Sequence, residues 1–328
     1  MNNVLNPTMR KTITKTVCID SMFRSNLETE PTNFSFSLAE PINNVISMKL
    51  ATLELPNNWY TFSSKNQSNV FTIRCYNIPD PTLEDPLQTY NYEHIITIPE
   101  GNYLNTTFRD NVQNYFINEG NGLEFIKFNV NDVNAKTEFS TGGGNRDTGN
   151  APYDPYLDNT DFYFELDFAI PGKAQYKTMG WAIGFQKPFY TVKHLGIDNL
   201  HIDMFRTNTE ICGAFLSSES SFGSSFGPYV FLEVDDFQRN VSSNTIVSYT
   251  GNGDSYLNNN ILAKIVVSSG QYTNIIDNAG DFVFKKRNYY GPIKLEKMHI
   301  KLLNRFGEII DLNWNDYSFS LELEVIYS

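Results

Sequence analysis

From Tyr317 to Val325 the chain alternates without a break. Tyr317, Phe319, Leu321, Leu323 and Val325 fall in one row, and Ser318, Ser320, Glu322 and Glu324 in the other. A two-residue period of this length is a strand with one face in a core and the other in water. Ile293 and Leu295 begin the same pattern upstream, and Met298, Ile300 and Leu302 resume it one residue out of phase. The slip at Glu296-Lys297 predicts a β-bulge, because one extra residue returns the apolar side to the core. Asn304-Arg305-Phe306-Gly307 reads as a hairpin loop with Gly307 in the left-handed position, and Asn313 to Asp316 as a second turn. The expectation is a C-terminal β-meander ending flush with the chain, with no tail left for targeting. Phe319 and Leu321 are core residues in it.

A strand of this kind needs partners, and the rest of the 328 residues is built to supply them. Aromatic residues make up 14% of the chain, and Phe and Tyr favour strands and bury large apolar surfaces. Asn is about one residue in eight, well above ordinary usage, and with Gly and Pro it predicts many turns between short strands. The formal net charge is −12. An acidic surface argues against a nucleic-acid groove, which needs clustered Lys and Arg. The one basic cluster beyond the N-terminus, Lys285-Lys286-Arg287, is too small to offset it. No run of about 18 apolar residues marks a transmembrane helix, and the N-terminus has no apolar stretch of secretory type. Cys18, Cys75 and Cys212 have unrelated spacings and read as buried free thiols in a reducing compartment. The sequons at Asn33, Asn66, Asn105 and Asn240 are then chance matches.

Residues 1–12 read as a polar arm carrying Arg10 and Lys11, able to reach a neighbour. Residues 13–328 read as one β-sandwich with elaborated loops and a loose insertion at about 134–158. Short strands are expected at Thr16–Asp20 and Asn33–Leu38. Val45 to Leu55, apolar on both sides at first, is expected to be a central strand. Trp59, Tyr60 and Phe62 form an aromatic plug. Further strands are expected at Val70–Tyr76, Ile95–Pro99, Leu123–Val130, Asp161–Ile170, Met179–Thr191, Glu210–Leu216, Tyr229–Val234, Ile246–Tyr249, Ile261–Val267 and Phe282–Phe284. Ser217–Gly227 is a loop. After Gly101, Leu104, Phe108, Val112, Tyr115 and Phe116 recur at helical spacing, with Asn105 as cap and Gly120 as terminator. Many punctuated strands and one amphipathic helix define an all-β jelly-roll β-sandwich with long loops.

No catalytic or cofactor motif stands out. His94, His194, His201 and His299 are scattered, and none lies at metal-ligand spacing from another His or a Cys. Gly142-Gly143-Gly144-Asn145 lacks the Lys and the strand-to-helix setting of a phosphate loop. Asp80, Glu84 and Asp85 lack the alternating oxygens of a calcium loop. Glu233, Asp235 and Asp236 sit on one strand, where neighbours point to opposite faces, whereas a glycosidase pair must face across a cleft. On residues alone the chain is a structural or binding protein without a cofactor. A glycan- or host-binding module would use Trp59, Tyr153, Tyr156 and Trp314 as a shallow aromatic platform.

Separated stretches add a resemblance. Ile19-Asp20-Ser21-Met22-Phe23-Arg24, Asn33-Phe34-Ser35-Phe36, Pro41-Ile42-Asn43-Asn44-Val45 and Leu53 through Tyr60 come first. Pro99 through Tyr103, Gly180 through Phe185, Tyr229 through Phe237, Ile300 through Leu303 and Asp316 through Phe319 follow in order. Together they resemble a family of virion structural proteins of the nucleocytoplasmic large DNA viruses, over nearly the whole chain. Met22 departs from the polar residue expected there. The resemblance implies a jelly-roll subunit of an icosahedral capsid, at the five-fold vertex as penton or as a minor capsid component. It would be assembled in the host cytoplasm and located in the virion. The implied partners are copies of itself, in a pentamer at a vertex, and the major and other minor capsid proteins. The implied scaffold residues are Phe34, Phe36, Trp59, Phe319 and Leu321 as core and Gly101 and Gly307 as turns, with Arg10, Lys11 and Trp314 available for contacts.

Overall fold

The computed structural model describes residues 11–79, 89–141, 162–193, 201–202, 210–211, 215–223, 227–239, 241–242, 247–251, 254–258, 260–267, 270–277 and 286–327. The strands are β1 (Thr12–Asp20), β2 (Asn33–Pro56), β3 (Val70–Pro79), β4 (Thr89–Thr97), β5 (Ile126–Val130), β6 (Lys136–Thr141), β7 (Tyr163–Asp167), β8 (Phe189–Lys193), β9 (His201–Ile202), β10 (Glu210–Ile211) and β11 (Phe215–Ser221). They continue as β12 (Tyr229–Asp235), β13 (Val241–Ser242), β14 (Val247–Gly251), β15 (Asp254–Asn258), β16 (Ile261–Val266), β17 (Asn274–Asp277), β18 (Lys286–Leu303) and β19 (Ser318–Ile326). Two α-helices interrupt them, α1 (Asn105–Glu119) and the single turn α2 (Met179–Ala182). The fold is all-β and antiparallel, as the alternation predicts. The chain divides into two compact units, Met1–Trp59 with Gly227–Ser328, and Tyr60–Phe226. The sequence reading treats 13–328 as one sandwich; periodicity marks strands but not which strands share a core.

The main sheet of the first unit has the order β1-β19-β2-β18-β12-β16, with β17 paired to β2 and β13 to β18; β14 and β15 pair with each other in a sheet of their own. The apolar face of the main sheet encloses one core, to which all its strands but β13 contribute buried residues. A single sheet can enclose a core only by rolling, and β16, at one end of the order, lies against β2.

β2 makes the roll work. Ile46 and Ala51 are extra residues in its ladder with β19, so Val45, Met48, Leu50 and Leu53 stand opposite Val325, Leu323, Leu321 and Phe319. Each bulge returns the next apolar residue to the core and bends the strand. The two-sided apolar run read from Val45 to Leu55 is thus one inward row, shifted twice. The slip expected at Glu296-Lys297 is present as a register shift between Leu295 and Lys297.

The meander is corrected. β18 and β19 do not pair with each other; β2 lies between them. Alternation fixes which face a residue takes, not which strand it meets. Asn304–Gly307 does turn the chain back, with Gly307 at φ 79° and an Ile310 N–H to Leu302 carbonyl bond of 3.0 Å. The returning segment is too short to continue as a sheet strand. At the N-terminus the Lys11 carbonyl accepts from Tyr327 N–H at 2.9 Å, and residues 1–10 of the expected arm lie outside the described residues.

The second unit is a two-layer sandwich. Its sheets, β4-β3-β7-β8 and β11-β6-β5, face one another across a core rich in phenylalanine. Phe139 of one sheet meets Phe71 and Phe164 of the other with centroids 6.4 Å apart. Helix α1 lays Phe108, Val112 and Phe116 on this core, and Phe62 stacks on Phe108 at 4.8 Å. Gly120 ends the helix at φ 68°, as expected, but Leu104 rather than Asn105 is the cap residue, and no side chain caps the helix.

Three local expectations fail in this unit. Met179–Thr191 is not one strand: α2 and a turn come first, and only Phe189–Lys193 is extended. Its glycines allow close approach. A Cβ on Gly180 would meet the Phe168 ring at 2.5 Å, and one on Gly184, at φ 99°, would meet the Ser220 carbonyl at 2.3 Å. The serine run expected as a loop is largely strand β11, paired to β6. Lys136–Thr141, inside the expected loose insertion, is strand β6; the rest of that expectation from 142 lies outside the described residues, as does the Phe282–Phe284 strand.

Two substitutions test the core of the first unit. Phe319→Asp buries an unpaired charge, and loss of the cooperative unfolding transition is the expected result; a soluble variant with native circular dichroism would refute the strand phase. Among the described residues, the buried Tyr317 hydroxyl has no hydrogen-bond partner, which costs about 1–3 kcal/mol. Tyr317→Phe is therefore expected to raise the midpoint of denaturant unfolding.

Candidate functional site

The most concentrated polar chemistry in the described residues is buried in the first unit, where β12 ends against β18. Arg287 and Tyr289, two apart on β18, share one face and reach Asp236, the residue after β12. Arg287 Nη1 donates to Asp236 Oδ2 at 2.9 Å, and its Nη2 donates to the Asn260 carbonyl at 2.8 Å. The Tyr289 hydroxyl donates to the same Asp236 oxygen. The other carboxylate oxygen accepts from Gln238 N–H at 3.0 Å. Burial first, and then the Asp236 charge, push the Tyr289 phenol far above its ordinary range, so it stays a donor at any ordinary pH. Beside this group Lys301 pairs with Glu233 at 3.2 Å across the β12–β18 ladder.

These carboxylates are consumed. Asp236 holds a buried guanidinium, and Glu233 holds its own lysine. The arrangement fixes one strand against another; it does not aim two acids into a cleft. It also revises the reading of Lys285-Lys286-Arg287 as a basic surface cluster. Arg287 is buried in an ion pair, Lys286 lies 3.7 Å from Glu324, and Lys285 is outside the described residues.

A second clamp sits at the first turn. Arg24 Nη1 donates to Asp316 at 2.8 Å and to the Ser21 carbonyl at 2.9 Å. Its Nε reaches the Thr29 carbonyl at 2.9 Å and its Nη2 the Leu27 carbonyl at 3.1 Å. The Ser21 hydroxyl also donates to Asp316 at 2.7 Å. Asp20 Oδ1 accepts from Met22 N–H at 2.9 Å, so the turn that lacks the expected polar residue at 22 is bonded through its neighbours. The sequence reading names Arg24, Asp316 and Arg287 but assigns none of them an ion-pair role. The signal for Arg287 was present in its two-residue spacing from Tyr289; for Arg24 and Asp316, 292 residues apart, there is no local signal.

The residues singled out in the sequence fall as follows. Phe34, Phe319 and Leu321 are buried in the first core, with Phe36 and Trp59 partly buried against it. Trp59 therefore joins a core instead of a free platform with Trp314, and it parts from Phe62, which is buried in the second core. Gly101 exchanges backbone hydrogen bonds of 2.9 and 3.1 Å with Phe62. Gly307 closes its turn with a 3.0 Å bond to the Asn304 carbonyl. Lys11 is exposed. Trp314 is exposed too, at φ 63°. Arg10, Tyr153 and Tyr156, the acids Asp80, Glu84 and Asp85, His194 and the glycine run lie outside the described residues. His94 is buried and within 3.0 Å of the Asn121 carbonyl. His299 lies 2.9 Å from Asn33 Oδ1. Cys75 is buried, its thiol pushed up to about 12, chiefly by burial. Cys18 is exposed on β1, against expectation, because it takes the outward phase of its strand. Among the described residues, no group of three or more His, Cys, Asp or Glu is placed to hold a metal ion, and no helix is long and apolar enough to cross a membrane.

The site and fold thus define an all-β scaffold whose buried charges are spent on holding strands and loops in place. No family model matches the sequence, and comparison with curated proteins gives no match. Among solved structures, the chain is similar to the crystal structure of the mavirus penton protein. That match has 10% identity over 97% of this chain and 100% of that chain, with a TM-score of 0.44. It is also similar to a chain of the Sputnik virophage structure solved by cryo-electron microscopy. There the identity is 14% over 96% of this chain and 98% of that chain, with a TM-score of 0.41.

Removing one partner of a buried pair leaves the other charge stranded. Asp236→Ala is expected to destabilise by about 3–5 kcal/mol. Adding Arg287→Met to it is expected to restore much of that loss. A denaturant titration showing that the double variant is no more stable than the single would contradict this account.

Proposed function

We propose that the chain is a structural subunit of an icosahedral virus shell, acting as penton at the five-fold vertex or as a minor capsid component. It works by assembling with copies of itself and with the major capsid protein, and it carries out no reaction. The observation that carries this reading is where the family-like stretches fall. Ile19 through Arg24 end β1 and supply the Arg24 clamp, and Asp316 through Phe319 supply its counter-charge and begin β19. Asn33 through Phe36, Val45 and Leu53 through Pro56 lie on β2. Tyr229 through Asp235 form β12, and Ile300 through Leu303 end β18. These stretches, scattered along the sequence, come together on one sheet with its clamp and its buried Asp236 pair, while Pro99 through Tyr103 and Gly180 through Phe185 fall in the second unit.

That distribution suits a shell subunit. Such a protein must present the same surface in every copy, so its stability belongs in frame contacts and its loops are left to neighbours. Inside a virion, assembled in the host cytoplasm, nothing further is asked of its interior.

Sedimentation or native mass spectrometry of the purified chain is expected to show symmetric oligomers, pentamers for a vertex subunit, and peptide mass spectrometry of purified virions is expected to find the chain. A strict monomer that is missing from particles would end the reading.

A further inference from the structure

The turn clamped by Arg24 does something a merely structural turn has no need to do. It holds three large apolar side chains in water: Met22 is 59% exposed, Phe23 78% and Leu27 63%. Scattered exposed apolar residues are ordinary, but three within six residues on one turn are a patch. The turn is also stiff. Besides the Arg24 bonds, the Asn26 side chain accepts from Glu28 N–H at 2.9 Å, and the Thr29 hydroxyl donates to the Asn26 carbonyl at 2.7 Å. Asp316, the post to which Arg24 is tied, lies two residues after Trp314, which is 61% exposed.

Stiffness matters because ordering side chains and loops is a main cost of association. Here the backbone is ordered in advance, and aromatic anchors of this type carry most of the energy at protein interfaces. Acidic residues flank the apolar ones along the chain, Asp20 before them and the exposed Glu28 directly after Leu27. Arg24 does not offset them, since its charge is buried against Asp316. An acidic rim repels anionic lipid and, in a chain of net charge −12, disfavours a second copy of the same surface. It complements a pocket edged by Lys or Arg.

We infer that Met22, Phe23 and Leu27 form a rigid prong that docks into an apolar, basic-rimmed pocket on a different protein subunit. This rests on the shell reading above, which makes that subunit a neighbour in the particle.

The test uses particles purified from virus-producing cells in which the chain is wild type, Phe23→Ser or Glu28→Lys, or carries the photo-crosslinker benzoylphenylalanine at position 23. Both substitutions are on exposed positions, so the purified variants are expected to unfold at the wild-type temperature. Their incorporation into particles is expected to fall about tenfold. The crosslinker is expected to capture a chain other than this one, at a site lined by apolar and basic residues. Normal incorporation of Phe23→Ser, or crosslinking to a second copy, would overturn the prong while leaving the shell role standing. Absence of the wild-type chain from particles would overturn both. In a flotation assay with phosphatidylcholine vesicles, with and without phosphatidylserine, the purified chain is expected to stay unbound; flotation that Phe23→Ser abolishes would mean the prong enters membrane instead.

Discussion

The first unit depends on one strand keeping two neighbours in register at once. β2 carries β19 on one side and β18 on the other, and the apolar rows of all three must reach the same core. A straight strand with a strict two-residue period would lose that match as the sheet twists and rolls. The extra residues at Ile46 and Ala51 restore it on the β19 side. Three further shifts along β18 do so on the other. One result is that Leu321 faces Leu50 and Phe319 faces Leu53, all buried, each contributing about 1.5–3 kcal/mol. A slip of one residue anywhere would turn such a row to water.

Buried polar contacts then select among arrangements that apolar contacts alone would tolerate. Leucines and isoleucines pack acceptably in more than one register. A guanidinium with no water around it does not, since it must find its carboxylate. Arg287 finds Asp236 only when β12 and β18 pair as they do, and Arg24 finds Asp316 only when the turn after β1 meets the start of β19. Both pairs tie segments far apart in sequence. Such pairs add little net stability over well-packed apolar residues; their effect here is to penalise every other register.

The sequence showed faces well and neighbours poorly. The inward row from Tyr317, the slip near Glu296 and the helix ending at Gly120 follow from local periodicity and are present, and of the row Phe162, Phe164, Leu166, Phe168 and Ile170 all but the half-buried Ile170 are in the core. The order of strands depends on contacts between distant segments, and the expected meander failed on that point. β2 runs unbroken through Pro41-Ile42-Asn43-Asn44, joining the two strands expected at Asn33–Leu38 and Val45–Leu55, with Asn44 at positive φ inside an irregular ladder. Serine-rich composition predicts a loop over Ser217–Gly227, yet Phe215–Ser221 is strand β11. There Ser218 is buried, accepting from Thr137 N–H at 3.0 Å and donating to the Ser220 carbonyl at 2.6 Å, so its polar side chain is satisfied inside a sheet. The candidate contact residue Trp314 was visible as a tryptophan in a turn, but the clamp that fixes its surroundings was not.

The Arg24 clamp shows why a scaffold can be most rigid where it is most exposed. A turn that buries its own apolar side chains is stabilised by them and needs little else. This turn turns Met22, Phe23 and Leu27 outward and so forgoes that burial. Its order comes instead from one guanidinium that bonds three backbone carbonyls and a carboxylate. Hydrogen bonds to a charged donor are each stronger than neutral ones, and four of them together replace the missing core. The apolar surface is thereby left free for a partner without the turn collapsing onto it. Polar groups fold the turn, apolar groups face outward, and that inversion of the usual order marks this surface as one made to be covered.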